Sequence, residues 1–518
     1  MDRALRTAHR QYVQSVVETE DPKVFWRYVK SRRQDNTGIQ PLKVNGELFT
    51  SDSDKAKVLA KQFQSVFTRE DITPDSMPNL PNSPYPDMPE IRIKMEGVEK
   101  LLKSIKVSKA IGPDGIRNQA LKLAAHELAP ILTFIFQQSL DTGTLPLDWR
   151  RANICPIFKK GATTDPANYR PVSLTCTCCK LLEHIIDSQV MRHLSKFNII
   201  ANNQHAFRKG RSCETQLILT THDWLQNIDN KQTTDVGVLD FSKAFDVMPH
   251  HRLLLKLEFY GIRNKTKDWI ASFLMNRFQR VVVNGNPSEW MPVLSGAPQG
   301  TVLGPHLFLL FINDIHEDVA STTRLFADDC LVYNTIESSG DEQQLQADLD
   351  KMVDWAQTWG MKFNPSKCKT MRITRRRKPD PTNYTMMGIG LEEMDDIQYL
   401  GIQFQRDLRW NKHTEYVTSK ATRVLNFIRR NFYHCSPSTK EKLYMSLVRP
   451  HLEYAAASWD PYTKKNIDTI ERVQNRAARF VSKTYGRDTS ISAILNNLKW
   501  TPSRKEGSVI ALHVSIKS

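Results

Sequence analysis

The feature that most constrains this chain is an acidic doublet, Asp328-Asp329, set inside the apolar stretch TRLFADDCLVY (323–333). Apolar runs on both sides predict two strands joined by a tight turn with both carboxylates at its tip. Adjacent acids repel, and the low dielectric of a sheet raises the cost of keeping both charged, so something cationic is expected beside them. A second stretch, TDVGVLDFSKAFDVMPH (234–250), puts Val236 and Val238 on one face of a short strand that ends at Asp240. An antiparallel sheet allows the two strands to be neighbours and Asp240 to meet the doublet.

Three hard oxygen donors without His or Cys suit Mg²⁺, which keeps several waters and fills its shell from substrate phosphates. Two such ions about 4 Å apart activate a 3′-hydroxyl and stabilise a pyrophosphate leaving group. The chemistry implied is nucleotidyl transfer. Asp is also common in turns, so the doublet alone has a purely structural reading as well.

Charge points the same way. Lys plus Arg number 72 against 56 Asp plus Glu, a net charge of +16 over 518 residues, which calls for a polyanionic partner, nucleic acid first. A membrane surface is also anionic, but no apolar run approaches the roughly 18–20 residues needed to span a bilayer. The start, MDRALRTAHRQYVQSVVETEDPK, carries charges where a signal peptide needs an apolar core, so a soluble chain not secreted by that route is expected. Eight scattered cysteines are too few for a disulfide framework. Cys176, Cys178 and Cys179 lack a second ligand pair at zinc spacing and read as buried small apolar side chains.

With 40% hydrophobic residues the chain is globular, and its length predicts three or four domains or lobes. Residues 1–72 read as a basic helical extension. TPDSMPNLPNSPYPDMPE (73–90) has six prolines and marks a linker over 73–93. From about 94 onward helical runs alternate with short strands, an α+β pattern. Leu345, Leu349, Met352 and Ala356 form the packing stripe of a helix stopped by Gly360. Two later helices carry arginine rows beside their apolar stripes: Lys420, Arg423 and Arg430 on one, Arg472, Arg476 and Arg479 on the other. Such rows read either as a solvated face or as contacts to a phosphate backbone.

Longer motifs add a resemblance. In order, VLDFSKAFD (238–246), SGAPQGTVLGPHLFLLFINDI (295–315), FADD (326–329), WGMKFNPSKC (359–368) and YLGI (399–402) resemble the polymerase motifs of reverse transcriptases. KAIGPDGI (109–116), IFKKGATTDPANYRPVSL (157–174), NQHAFRKGRSCETQL (203–217) and RPHLEYAAASWDPY (449–462) are similar to non-LTR (LINE-type) retrotransposons, jockey-like and allied elements. The resemblance covers roughly residues 13–510.

It implies a right-hand polymerase with fingers about 94–230, an antiparallel palm about 231–405 and a helical thumb with further helices about 406–518. Asp240, Asp328 and Asp329 match the metal-binding catalytic triad, with the Phe241 carbonyl an additional ligand. Phe245 matches the bulky residue that blocks a ribose 2′-hydroxyl. Lys159, Lys160 and Arg170 match the groups that meet the incoming triphosphate. Gln299 and Gly300 match the pair that lets template and nucleotide approach the backbone. Lys367 occupies the place of a lysine that protonates pyrophosphate, and Tyr399, Leu400 and Gly401 lie in the primer grip. Asp246 is read as orienting neighbouring backbone, and His250 and His251 as capping the next helix.

The implied activity is RNA-templated DNA synthesis from a primer 3′-hydroxyl with dNTPs, using two Mg²⁺ ions, with Mn²⁺ able to substitute. RNA template, DNA primer and nuclear action come with it, the run Arg375–Lys378 being a weak import signal. Ala206, Met248 and His306 depart from the family's usual residues without touching the proposed metal site. Full-length elements carry an endonuclease ahead of the polymerase, and residues 1–93 lack its signatures. The chain is thus expected to begin in the segment joining the two domains and to stop, at SVIALHVSIKS, without a zinc knuckle or ribonuclease H region. Two alternatives stay open: a catalytically silent relic that only binds RNA, and an intron-encoded maturase-like enzyme, which the thumb motif does not favour.

Overall fold

A computed structural model describes residues 2–19, 21–33, 38–486 and 489–501, so the expected terminal segment SVIALHVSIKS lies outside the described residues. The chain is a mixed α and β structure built around two five-stranded sheets. The first contains β1 (Arg151–Phe158), β2 (Tyr169–Leu174) and β4 (Arg277–Val283). In the second, β3 (Thr233–Asp240) is central, flanked by β6 (Asp329–Ile336) and β7 (Lys369–Ile373), with β5 (Thr322–Phe326) and β8 (Glu392–Glu393) at the edges. All neighbours in this sheet are antiparallel except β7 with β8.

The central strand is buried along nearly its whole length because helices cover both faces. Period-two alternation sends Val236, Leu331 and Tyr333 into one core and Leu239, Cys330 and Val332 into the other. Against the second face packs α4 (Ser339–Thr358), whose Leu345, Leu349, Met352 and Ala356 are all buried. Gly237 permits that approach: a Cβ there would lie 3.1 Å from Val332 Cγ1 and 3.5 Å from Leu349 Cδ2. On the other side α2 (Cys213–Asp229) seats Trp224 edge-on against Tyr333 and Phe404.

Segments distant in sequence meet in the fold at two places. β4 falls inside the expected palm yet pairs in parallel with β1 of the expected fingers, because the apolar edge of β1 is completed only by a distant strand. The proline-rich stretch is not free either. Met88 N–H donates to Gly261 O at 2.8 Å, Tyr85 packs edge-on against Phe259 at 5.9 Å, and Ile91 enters the main core. Proline fixes an extended path along the surface without making it a tether.

The amino-terminal segment also docks rather than projecting. Val13, Val16, Tyr28 and Val29 join the core of the carboxy-terminal helices, with Tyr28 edge-on to Phe432 at 5.7 Å. Helix α1 (Asp52–Gln64) buries Leu59 and Phe63 on the sheet of β1 and β4. The carboxy-terminal helices α5 (Asn411–Asn431) and α6 (Lys464–Ser482) pack side by side. Among the described residues no helix is long and apolar enough to cross a membrane. Cys176, Cys178 and Cys179 are free and buried, as their spacing suggested.

Candidate active site

β5 and β6 form a hairpin whose two-residue loop is Ala327-Asp328. Only Asp328 therefore occupies the tip. Asp329 is the first residue of β6, paired across the sheet with Asp240, the last residue of β3. The sheet thus delivers three acids, from two segments distant in sequence, to one strand end. The correction to the expected pair at the tip follows from register: Phe326 pairs with Asp329, so Ala327 takes the first turn position and Asp329 falls on the strand.

Burial pushes the Asp328 carboxyl above the ordinary range; Asp240 adds to the rise, while Lys159 and Arg170 oppose it. Asp329 is pushed up to about 6 by desolvation at the strand end, then by Asp328 and Asp240. Asp240 is half exposed, and its Oδ2 lies 3.0 Å from Lys367 Nζ. Around the acids stand the basic groups of the first sheet. Lys159, whose ammonium is held below the usual lysine range by burial and then by Arg170, Lys367 and Lys160, follows β1 directly, and Arg170 sits on β2 opposite Ile157.

The donor chemistry fits a hard divalent cation, because oxygen acids that raise one another are relieved only by added positive charge. As the side chains lie, no three His, Cys, Asp or Glu groups among the described residues are disposed to hold one ion, and the Lys367 ammonium takes one oxygen of Asp240. The Phe241 ring stacks on Phe363 at 4.2 Å. The backbone bonds flanking that pair use Asp240 O and Lys362 O, leaving the Phe241 carbonyl outside both.

Beside the acids, the Phe245 ring stacks on Phe308 of α3 (Gly304–Phe311) at 4.3 Å. Gln299 is fixed at both ends: its carbonyl accepts from Ser173 N–H at 2.7 Å and its Nε2 donates to Asp246 Oδ1 at 3.0 Å. The Asp246 carboxylate thus orients a side chain rather than the neighbouring backbone. Gly300, at φ +99°, lies where a Cβ would approach Ser173 O to 3.1 Å.

His250 and His251 do not cap the helix His250–Phe259. His250 Nε2 bonds Gly296 O at 2.7 Å, and the first-turn amides of His251 and Arg252 donate to the Glu70 carboxylate, each at 2.9 Å. A carboxylate neutralises a helix amino terminus better than an imidazole. Glu70 was not legible as a cap because it lies about 180 residues upstream.

Tyr399, Leu400 and Gly401 close a hairpin between β9 (Asp396–Tyr399) and β10 (Ile402–Gln405). Leu400 and Gly401 both have positive φ, the geometry of a tight two-residue loop. Tyr454, which the sequence left without a role, donates its hydroxyl to Leu400 O at 3.0 Å while its ring covers Gly401. Farther out, Arg423 of α5 and Arg472 and Arg476 of α6 line one groove with Thr418, Ser419, Thr422 and Thr469. Lys420, Arg430 and Arg479 do not line it. Lys420 bonds the Tyr416 hydroxyl at 3.2 Å, and Arg479 reaches Gly486 O at 3.4 Å.

The fold that brings three acids to adjoining strand ends is of the mixed α and β class, and comparison with known proteins supplies its relatives. Residues 157–404 match the family described as reverse transcriptase (RNA-dependent DNA polymerase). The chain is 27% identical to the RNA-directed DNA polymerase from mobile element jockey of Drosophila melanogaster, over 88% of its own length and 52% of that protein's. It is 26% identical to the probable RNA-directed DNA polymerases from transposon BS (91% and 54%) and transposon X-element (94% and 56%) of the same fly. Residues 157–404 thus carry a reverse transcriptase domain, and most of the chain is similar to the polymerases of jockey-like, non-LTR retrotransposons. It spans about half the length of the curated relatives it matches.

Proposed function

We propose that this chain extends a primer 3′-hydroxyl with dNTPs on an RNA template. The observation that carries the reading is the register of Asp329 on Asp240, with Asp328 one residue away and Lys159 and Arg170 in the same electrostatic field. Asp240, Asp328 and Asp329, with the Phe241 carbonyl, would hold Mg²⁺ or Mn²⁺. When bound, the ions lower the pKa of the attacking hydroxyl and offset charge on the departing pyrophosphate.

The protein's own groups do the rest. Lys159, Lys160 and Arg170 attract and align the triphosphate, as charge-assisted contacts to phosphate do. Phe245, held by its stack on Phe308, presents a bulky edge against a ribose 2′-hydroxyl. Gln299, fixed by Asp246, and Gly300, without a side chain, leave the backbone open to the base pair. Lys367, with its Nζ 3.0 Å from Asp240 Oδ2, would give a proton to the pyrophosphate on departure. The hairpin of Tyr399, Leu400 and Gly401 would seat the primer end, and the groove of Arg423, Arg472 and Arg476 would follow the duplex backbone.

In this reading residues 94–230 are the fingers, completed by β4, 231–405 the palm and 406–518 the thumb, with 1–72 and 73–93 as extension and connector packed against them. Nuclear action belongs to the same reading, with Arg375–Lys378 exposed to solvent. The test is primer extension on an RNA template with Mg²⁺, comparing the unaltered chain with Asp328→Asn. Incorporation that persists undiminished in the variant defeats the mechanism. Salt-sensitive RNA binding without any incorporation by the unaltered chain supports an RNA-binding relic instead.

A further inference from the structure

The turn that carries Asp328 is strained. Ala327 sits at φ +55°, in the left-handed region that strains a side-chain-bearing residue and that glycine ordinarily fills in such loops. Something outside the hairpin must hold it.

That support comes from Gln204. Its Oε1 accepts from Ala327 N–H at 3.1 Å and from Ala206 N–H at 2.9 Å, and the residue is 1% exposed. The backbone around it is zipped to β5: His205 N–H donates to Leu325 O at 3.0 Å and Leu325 N–H to Asn203 O at 2.9 Å. One amide oxygen, fixed by the bridge of its backbone to Leu325, therefore grips the amide of Ala327, the residue before Asp328. Gln204 Nε2 makes no hydrogen bond among the described residues, so the side chain is held through its oxygen.

We propose that Gln204 is a positioning residue that fixes the Ala327-Asp328 turn and so aims the Asp328 carboxylate into the acidic cluster. The inference rests on the reading of Asp328 as a cation-holding acid. Losing the acceptor would orphan two amides and free the strained turn to relax. Groups that orient a metal-binding side chain typically change metal affinity by about 10–100-fold.

The experiment uses the full chain without nucleic acid. Mn²⁺ binding is measured by electron paramagnetic resonance for the unaltered protein, Gln204→Leu, Asp328→Asn and the double variant Gln204→Leu/Ala327→Gly, and each melting temperature is recorded. Gln204→Leu is expected to bind Mn²⁺ about tenfold more weakly. The double variant should recover much of that loss, since glycine adopts the turn without help. A merely structural role would not be rescued at Ala327.

Amide hydrogen exchange of the unaltered protein gives a second readout that no folding failure can remove. The Ala327 N–H should exchange slowly although it lies in a turn. Unchanged Mn²⁺ binding in Gln204→Leu, absence of rescue, or fast exchange at Ala327 each overturns the proposal. Unchanged binding in Asp328→Asn would instead overturn the reading of the acids on which it rests.

Discussion

Asp240 and Asp329 face each other across two antiparallel strands, the last residue of one opposite the first of the other. Cross-strand partners share a face, so both carboxylates project to the same side of the sheet, where like charges destabilise each other. Such a pair persists because folding elsewhere in the sheet offsets its cost. In the absence of a cation Asp329 is a liability.

Replacing it by Asn tests this. The folded Asp329 carboxyl, pushed up to about 6, holds its proton more tightly than the unfolded chain does. Stability therefore falls as pH rises from about 4 to 6 and levels off above that. Asp329→Asn should melt higher than the unaltered protein above pH 6 in chelator, the gain vanishing near pH 4. Solvent reaches the side chain, so the gain is expected to be modest. Incorporation should fall by about 10²–10³-fold or more.

Lys367 and a divalent ion compete for Asp240. Lys367→Met removes the ammonium now 3.0 Å from Asp240 Oδ2, so the free protein should bind Mn²⁺ severalfold more tightly. If the lysine also supplies the pyrophosphate proton, incorporation should slow in the same variant. Isothermal titration and single-turnover extension read the two effects separately; weaker metal binding would contradict the competition.

The turn at Leu400 and Gly401 borrows a support from a segment about 50 residues later. Tyr454→Phe keeps the ring over Gly401 and loses the bond to Leu400 O, about 1 kcal/mol. Primer–template affinity should drop severalfold while dNTP KM stays unchanged. Filter binding with a recessed duplex checks it.

Gly296 has φ +80°, and a Cβ there would lie 2.4 Å from Phe245 O and 2.6 Å from Asp246 O. Backbone atoms cannot yield as a flexible side-chain end can. Gly296→Ala should therefore destabilise by about 2–4 kcal/mol, read as a lower urea midpoint, because strain and overlap add.

His413 gives the acid limit of the carboxy-terminal domain. It is buried, accepts from Gln403 N–H at 3.2 Å, stands edge-on to Trp459 at 4.3 Å and is held down to about 4 by desolvation. The unfolded chain takes up this proton near 6.5, so stability is intact above 6.5 and falls by about 1.4 kcal/mol per pH unit between 6.5 and 4. In His413→Gln the acid-induced fall in melting temperature should be shallower by one proton's worth. An unchanged slope would show that His413 is charged in the folded state.

The sequence by itself determined the ordered motifs and the local elements. The acidic doublet in an apolar frame, the strand ending at Asp240 and the helix with Leu345, Leu349, Met352 and Ala356 are short-range patterns, and period and residue type suffice to read them. Tertiary structure decided what those patterns meet. That β4 completes the sheet of β1, that Glu70 caps a helix far downstream, that Tyr454 holds Leu400 and that Gln204 holds Ala327 are contacts between segments tens to hundreds of residues apart. No local periodicity encodes such pairings, because which hydrogen-bonding group is brought to a turn or a helix end depends on how distant apolar faces pack. The two arginine rows show the same division: their spacing put them on helix faces, but only the packing of α5 on α6 selected Arg423, Arg472 and Arg476 to share a groove.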